Sequence, residues 1–253
     1  MILDCVLTST NNNPLYMDFI PIFVRTWKKL YPNVDVKIIF IGNSIPEKFN
    51  AYKDNIILFK PIPNVSTAFI SQYIRLLYPA ILNYKNGVLI TDMDMLPMNR
   101  TYYTKNIEKY TDDNFIYMRN VLLNKKQIAM CYNVATSLIW GNIFNIKLFD
   151  DIINRIKLVY SNNKYNGKHG GIGWSIDQKH LYTKVMNWNK KTKKLIILND
   201  NKCKFKRLDR ITKFNINNNQ ILKKIRNGFY SDYHCFRPYN KFININEKIY
   251  NIL

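Results

Sequence analysis

The chain has 253 residues, 47% of them hydrophobic, enough to fill the core of one large α/β domain. Its 38 Lys and Arg outnumber 17 Asp and Glu, and the formal net charge of +21 favours anionic partners such as nucleotides, nucleic acid, phosphate-rich glycans or an anionic membrane surface. No run of about 18 or more apolar residues is present to form a spanning helix, and Cys5, Cys131, Cys203 and Cys235 make no C-x-x-C pair, which argues against a zinc cluster or a disulfide framework.

The lysines are scattered among Asn and Ile, so much of the charge reads as a solvated surface. The start, MILDCVLTST, lacks a basic segment followed by a long apolar one. With reduced thiols, this points to a cytoplasmic protein whose membrane contact, if any, is peripheral.

Strands are expected at ILDCVLT, VKIIFIG, NIILFK and GVLIT, with helices at YMDFIPIFVRTWKKLYP and FISQYIRLLYPAILNY between them. This alternation is that of a mainly parallel sheet flanked by helices. Periodicity predicts a helix over residues 69–83, with Phe69, Tyr73, Leu76, Leu77, Ala80 and Ile81 on one apolar stripe and Arg75 off it. Further on, NFIYMRN and ATSLIW are predicted as strands, and IFNIKLFDDIINRIKLVYS and IDQKHLYTKVMNW as helices on either side of the Gly-rich turn NGKHGGIGWS. The chain is expected to form one domain over residues 1–253. Its three parts are residues 1–100, which end just after the carboxylate pair, residues 101–200, and a basic extension, 201–253, that wraps back on the rest.

The strand GVLIT runs into Asp92 and Asp94. Carboxylates two apart on a strand point the same way, about 7 Å apart, and ligands of open parallel sheets gather at the carboxyl ends of the strands. A lone D-x-D reads most simply as a pair of turn caps before Pro97; its surroundings argue for a cation site.

The segment QYIRLLYPAILNYKNGVLITDMDML, with Tyr73, Arg75, Leu76 and Pro79 ahead of the D-x-D, resembles the GT-A (Rossmann-like) nucleotide-sugar glycosyltransferases, especially the family of glycogenin and bacterial galactosyltransferases. The resemblance implies a metal-dependent glycosyltransferase that moves a sugar from a nucleotide-sugar donor, UDP-linked by preference, to a glycan, protein or lipid-linked acceptor. It implies a Mn²⁺ or Mg²⁺ ion held by Asp92, Asp94 and His234, with Asp92 also reaching the ribose and Arg75 among the donor contacts. Thr8, Ser9 and Thr10 would lie near the base, or form a simple helix-entry turn. Asn133 would face the donor sugar, although Val134 and Ala135 follow it where the family has a small residue and Gly. Asp177 and Gln178, in GWSIDQKHLY, would act at the reacting face of the sugar, and Arg237 would contact phosphate. Around His234 the family's H-x-x-G-x-x-K-P segment is altered: no Gly follows at the third position, and Arg237-Pro238 stands three residues early. His169 and His180 read as structural or solvated. Trp174 and Trp140 are candidates for stacking on a pyranose, or for the core.

Two readings from other classes draw on the same residues. A nuclease or nucleotidyltransferase would also use paired aspartates, but no further acid follows the pair until Glu108. A nucleic-acid-binding module would use the charge and the aromatics, but these form no interleaved Arg-aromatic motif, so no nucleic acid partner is expected.

Overall fold

A computed structural model describes residues 1–212 and 214–253. Four strands come first: β1 (Leu3–Asn11), β2 (Asp35–Ile41), β3 (Ile56–Phe59) and β4 (Gly87–Ile90). Six of three or four residues follow: β5 (Met95–Pro97), β6 (Phe115–Tyr117), β7 (Asn133–Thr136), β8 (Leu195–Ile197), β9 (Arg207–Asp209) and β10 (Asp232–His234). The helices are α1 (Pro14–Met17), α2 (Ile20–Leu30), α3 (Thr67–Tyr73), α4 (Tyr102–Lys105) and α5 (Ser137–Phe144). Then come α6 (Phe149–Ser161), α7 (Ile176–Thr192), α8 (Asp200–Cys203), α9 (Asn219–Arg226) and α10 (Ile243–Ile252).

Seven strands form the central sheet in the order β3-β2-β1-β4-β7-β6-β8. All neighbours are parallel except β7, which runs antiparallel to both β4 and β6. Residues alternate across β1: Val6 joins the core under α2, and Cys5 and Leu7 join the core under α3, α5, α6 and α7. Covered on both faces, β4 can be wholly apolar, and all four of its residues are buried. From β1 the chain proceeds outward to β2 and β3, then returns to place β4 on the other side of β1. That reversal opens a crevice at the carboxyl ends of β1 and β4, where open sheets of this kind bind ligands.

A second sheet, β5-β10-β9, is built by the basic C-terminal segment on the strand that follows the D-x-D. The extension is thus more structured than its weak pattern suggested, and α10 packs on α2. No helix among the described residues is long and apolar enough to cross a membrane.

Several boundaries differ from those expected. The helix over residues 69–83 breaks after Tyr73 into two 3-10 turns, Ile74–Leu76 and Tyr78–Ile81. Pro79 has no N–H to continue an α-helix and disfavours α geometry at Tyr78. ATSLIW is only half strand: Thr136 ends β7 and its hydroxyl accepts from Ile139 N, capping α5. The long helix expected over residues 143–161 divides at Asn145, which adopts a left-handed conformation. The helix expected over residues 16–32 divides likewise into α1 and α2.

Trp140 belongs to the core, not to a sugar-facing surface. It is fully buried, packs edge-on against Phe115, and donates from Nε1 to Val88 O at 3.2 Å. Trp140→Ala is therefore expected to destabilise the fold by about 3–5 kcal/mol. Urea unfolding measures this, and a loss below about 1 kcal/mol would mean that the residue is not packed as described.

Candidate active site

The crevice at the ends of β1 and β4 is a cleft of about 440 Å³, within the range of small-ligand sites. One wall is the end of β1 with α3, and the opposite wall is the β9–β10 region, while the start of α7 and residues 129–131 close the back. A second hollow of about 480 Å³ lies against the edge strand β8. It is lined by Lys105, Lys109 and Lys202 and contains none of the residues singled out in the sequence.

Asp92 and Asp94 lie in the turn after β4, not on the strand, so strand alternation does not set their directions. Each is fixed by its own cation. Arg75 is carried inward by the first 3-10 turn, is only 7% exposed, and donates to Thr91 O at 2.8 Å and to the Asp92 carboxylate. Burial pushes the Asp92 carboxyl up, but the Arg75 guanidinium outweighs it and holds the carboxyl below the usual range.

Asp94 is 4% exposed. Its Oδ2 accepts from Arg210 Nη1 at 2.8 Å, with Arg237 Nη1 at 3.4 Å and His234 Nε2 at 3.7 Å from the same oxygen. Arg237 also donates to Tyr16 OH at 2.8 Å. The other nitrogen of His234, Nδ1, faces Asp209 Oδ1 at 3.2 Å. Burial lowers the His234 pKa, and Arg210 and Arg207 assist against the pull of Asp94 and Asp209, so the neutral ring is favoured.

Among the described residues no group of three or more His, Cys, Asp or Glu side chains is arranged to hold a metal. The donor chemistry nonetheless suits a hard or borderline divalent ion. Two carboxylates and a neutral imidazole share the cleft, and a carboxylate behind the imidazole orients it, as is usual for metal-ligating histidines. What occupies the Asp94 carboxylate in this arrangement is the guanidinium of Arg210.

Asp177 lies in the first turn of α7, 2% exposed, and accepts from Gln178 N at 2.8 Å. Burial pushes its carboxyl up to about 7, with Arg75 pulling the other way. Gln178 also lines the cleft, and its backbone carbonyl accepts from Ile128 N at 3.2 Å. Ser9 and Thr10 line the cleft at the end of β1.

Thr8 and Asn133 lie outside the cleft lining. Thr8 is fully buried within β1, one residue too early to reach the opening. Asn133 is also fully buried, and its Nδ2 donates to Ala129 O at 2.6 Å and Met130 O at 3.0 Å. It therefore shapes the 129–131 back wall from behind. His180 meets Tyr73 OH at 2.9 Å, while His169 rests against Trp174 at the cleft rim, ring centroids 4.6 Å apart.

Arg210, Tyr16, Gln72 and Asp209 were not singled out in the sequence. Gln72 lines the cleft, donates to Trp174 O and accepts from Tyr165 OH at 3.2 Å, tying α3 to the Gly-rich segment. It sits one residue before Tyr73 of the recognisable motif. Arg210 and Asp209 follow RL in a basic stretch without periodicity, and only strand pairing brings them to the D-x-D.

No protein-family model and no curated protein matches the chain. Among solved structures, it is similar over 98% of its length to 96% of a galactosyltransferase, LgtC, solved in complex with donor and acceptor sugar analogs, with a TM-score of 0.52 and 11% identity. It is also similar over 79% of its length to 46% of the glycosyltransferase GlyE from Streptococcus pneumoniae TIGR4, with 13% identity and a TM-score of 0.47. The likeness to LgtC shows that the chain has the GT-A fold, a mixed α/β architecture on a mostly parallel sheet.

The raised Asp177 pKa has a consequence for stability. The unfolded Asp ionises near pH 4 whereas the folded one holds its proton to about 7. The folded state binds more protons in this window, so stability falls as pH rises from about 4 to about 7 and the loss is complete above it. Asp177→Asn is expected to flatten this decline and to melt at least about 2–4 °C above the unsubstituted protein at pH 8, the effect of ~1 kcal/mol in a chain of this size. Identical pH profiles in thermal melts would show that Asp177 titrates alike in the folded and unfolded states.

Proposed function

We propose that the protein is a glycosyltransferase that moves a sugar from a nucleoside diphosphate sugar, UDP-linked by preference, to a hydroxyl of a glycan or other acceptor. The observation that carries this reading is the convergence of Asp92, Asp94, Asp177, His234 and Arg237 on one cleft at the switch point of the sheet. Fold likeness to a galactosyltransferase solved with donor and acceptor analogs supports it.

In this reading the end of β1, with Ser9 and Thr10, receives the nucleoside, and Arg237 meets phosphate through its planar guanidinium. Asp92, Asp94 and His234 would hold a divalent ion, Mn²⁺ by preference because of the imidazole. Bound there, the ion would neutralise the charge of the departing diphosphate as a Lewis acid. Arg75 keeps Asp92 ionised and aimed into the cleft. Asp177 supplies a carboxyl at the reacting face, where its ionised form can stabilise the positive charge developing on the sugar or take the acceptor's proton. Gln178, beside it, is a polar contact for the sugar.

A nuclease centre would require further acidic ligands around the pair. The ion partners of Asp92 and Asp94 are instead guanidinium groups and an imidazole, which favours a diphosphate over a metal-rich hydrolytic site.

A panel of nucleotide sugars, with and without Mn²⁺, read out as released nucleoside diphosphate, is the direct test. One donor should be selected, and only when the metal is present. Equal nucleotide binding in EDTA would remove the metal from the reading. Asp94→Ala is expected to abolish transfer with the fold retained, and near-normal turnover at saturating Mn²⁺ would refute its role. Asp177→Asn should keep nucleotide binding but lose transfer by roughly 10²-fold or more; unchanged turnover would leave Asp177 a structural residue of α7.

A further inference from the structure

Asp94 Oδ2 faces more cationic groups than one carboxylate oxygen can serve once a metal is also bound. Arg210 is the closest. Its Nη1 bridges Asp94 Oδ2 at 2.8 Å and the Cys235 carbonyl at 2.7 Å, so the guanidinium is seated by one acceptor in the turn after β4 and one just after β10. The same carboxylate is the one that the proposed function assigns to the divalent ion. A guanidinium and a divalent cation on one oxygen repel each other, and in a cleft where Asp94 is 4% exposed little water is present to screen them.

Arg75, at Asp92, differs from Arg210 in its setting. It too lines the cleft, but it is only 7% exposed and donates to the Thr91 carbonyl of the turn as well as to Asp92. Arg210 stands at the head of a single 3-10 turn, Arg210–Thr212, beside the 77% exposed Ile211. The backbone of that turn is pinned independently of the arginine side chain: Ile211 N donates to Asp209 Oδ1 at 3.0 Å and Thr212 Oγ1 to Asp209 O at 2.7 Å. The guanidinium can therefore leave Asp94 without unfolding the turn, and it lines the cleft in which the diphosphate would bind.

We infer that Arg210 is a built-in cation that occupies the Asp94 carboxylate in the nucleotide-free protein, suppressing divalent-metal binding until a nucleoside diphosphate offers the guanidinium another anion. This rests on the proposed function and adds to it a named residue that couples the two ligands. Coupling of this kind is reciprocal: what makes the nucleotide favour the metal makes the metal favour the nucleotide. Arg237, farther away at 3.4 Å and already engaged with Tyr16, contributes to the same suppression to a lesser degree.

Calorimetric titration of Mn²⁺ into the full chain, with and without saturating UDP, tests the inference on the unsubstituted protein, Arg210→Gln and Arg210→Lys. Arg210→Gln is expected to bind Mn²⁺ about tenfold more tightly than the unsubstituted protein without nucleotide, a typical size for such coupling. The gain in Mn²⁺ affinity on adding UDP should shrink correspondingly. Arg210→Lys keeps the positive charge and should keep the weak nucleotide-free binding. If all three proteins bind Mn²⁺ with UDP but with equal affinities in its absence, the inference is overturned and the proposed function stands. If none binds Mn²⁺ even with UDP, the metal-dependent reading falls and the inference with it.

Discussion

A buried guanidinium needs an anion, and Arg75 sets where that anion must be. Its charge sits in the interior beside the sheet, and without a partner its desolvation would be prohibitive. The chain leaves β4 at Ile90, gives Arg75 the Thr91 carbonyl, and turns so that the Asp92 carboxylate meets the same nitrogen. Removing one member of a fully buried pair costs about 3–5 kcal/mol; the exposure of Asp92 to the cleft, 36% of its side chain, lowers that figure here. The geometry of the D-x-D turn is thus dictated from behind, by a residue seventeen positions earlier.

Asp94 then faces away from Arg75 and toward the C-terminal sheet. Its backbone carbonyl accepts from Cys235 N at 2.9 Å while its carboxylate takes Arg210, so the β9–β10 region is bound to the turn twice. A second buried knot fixes the back wall to the same region. Arg207 donates to Asp232 Oδ1 at 3.1 Å, and Tyr132, at φ +81°, bonds through its hydroxyl to both residues. A positive φ is costly for tyrosine and persists only where the surroundings enforce it. The strained residue lies next to Cys131, which lines the cleft. The back wall and the wall opposite α3 are therefore tied to each other through β9 and β10.

The first half of the fold was legible because parallel strands buried on both faces leave continuous apolar runs, and because Tyr73, Arg75 and Pro79 stand at a recognisable spacing from the D-x-D. Helix periodicity placed Arg75 off the apolar stripe; the 3-10 turn created ahead of Pro79 is what brings it inside. ATSLIW misled because a cap is a hydrogen bond, not a pattern: Thr136 and Ser137 look like strand residues until the hydroxyl of Thr136 finds Ile139 N. Asn133 was placed at the donor sugar by resemblance, but its register opposite Ile90 points it into the core, where its amide holds the preceding loop. Arg210 was out of reach altogether. Its meaning depends on β10 pairing with β5 and β9 at once, and nothing local in KRLDRITKF announces either partner.

The charge of the molecule acts at two ranges. Much of the excess is on exposed lysines, several in the last turns of α2, α7 and α9, where they complement the negative ends of the helix dipoles. Such charges attract any anion, and salt screens them within about 8 Å at physiological ionic strength, so they speed encounter without selecting a ligand. The cleft is different. Arg75 is matched by Asp92, and Arg210 and Arg237 share Asp94, so the cleft's guanidinium groups are already engaged by internal anions. A ligand gains there only if its own charges replace the internal pairs that it breaks. A monoanion cannot both hold Arg210 and compensate Asp94, whereas a diphosphate accompanied by a divalent cation supplies a partner to each. In the proposed function, pairing the cleft's charges with one another would make it discriminate between anions that the basic surface gathers indiscriminately.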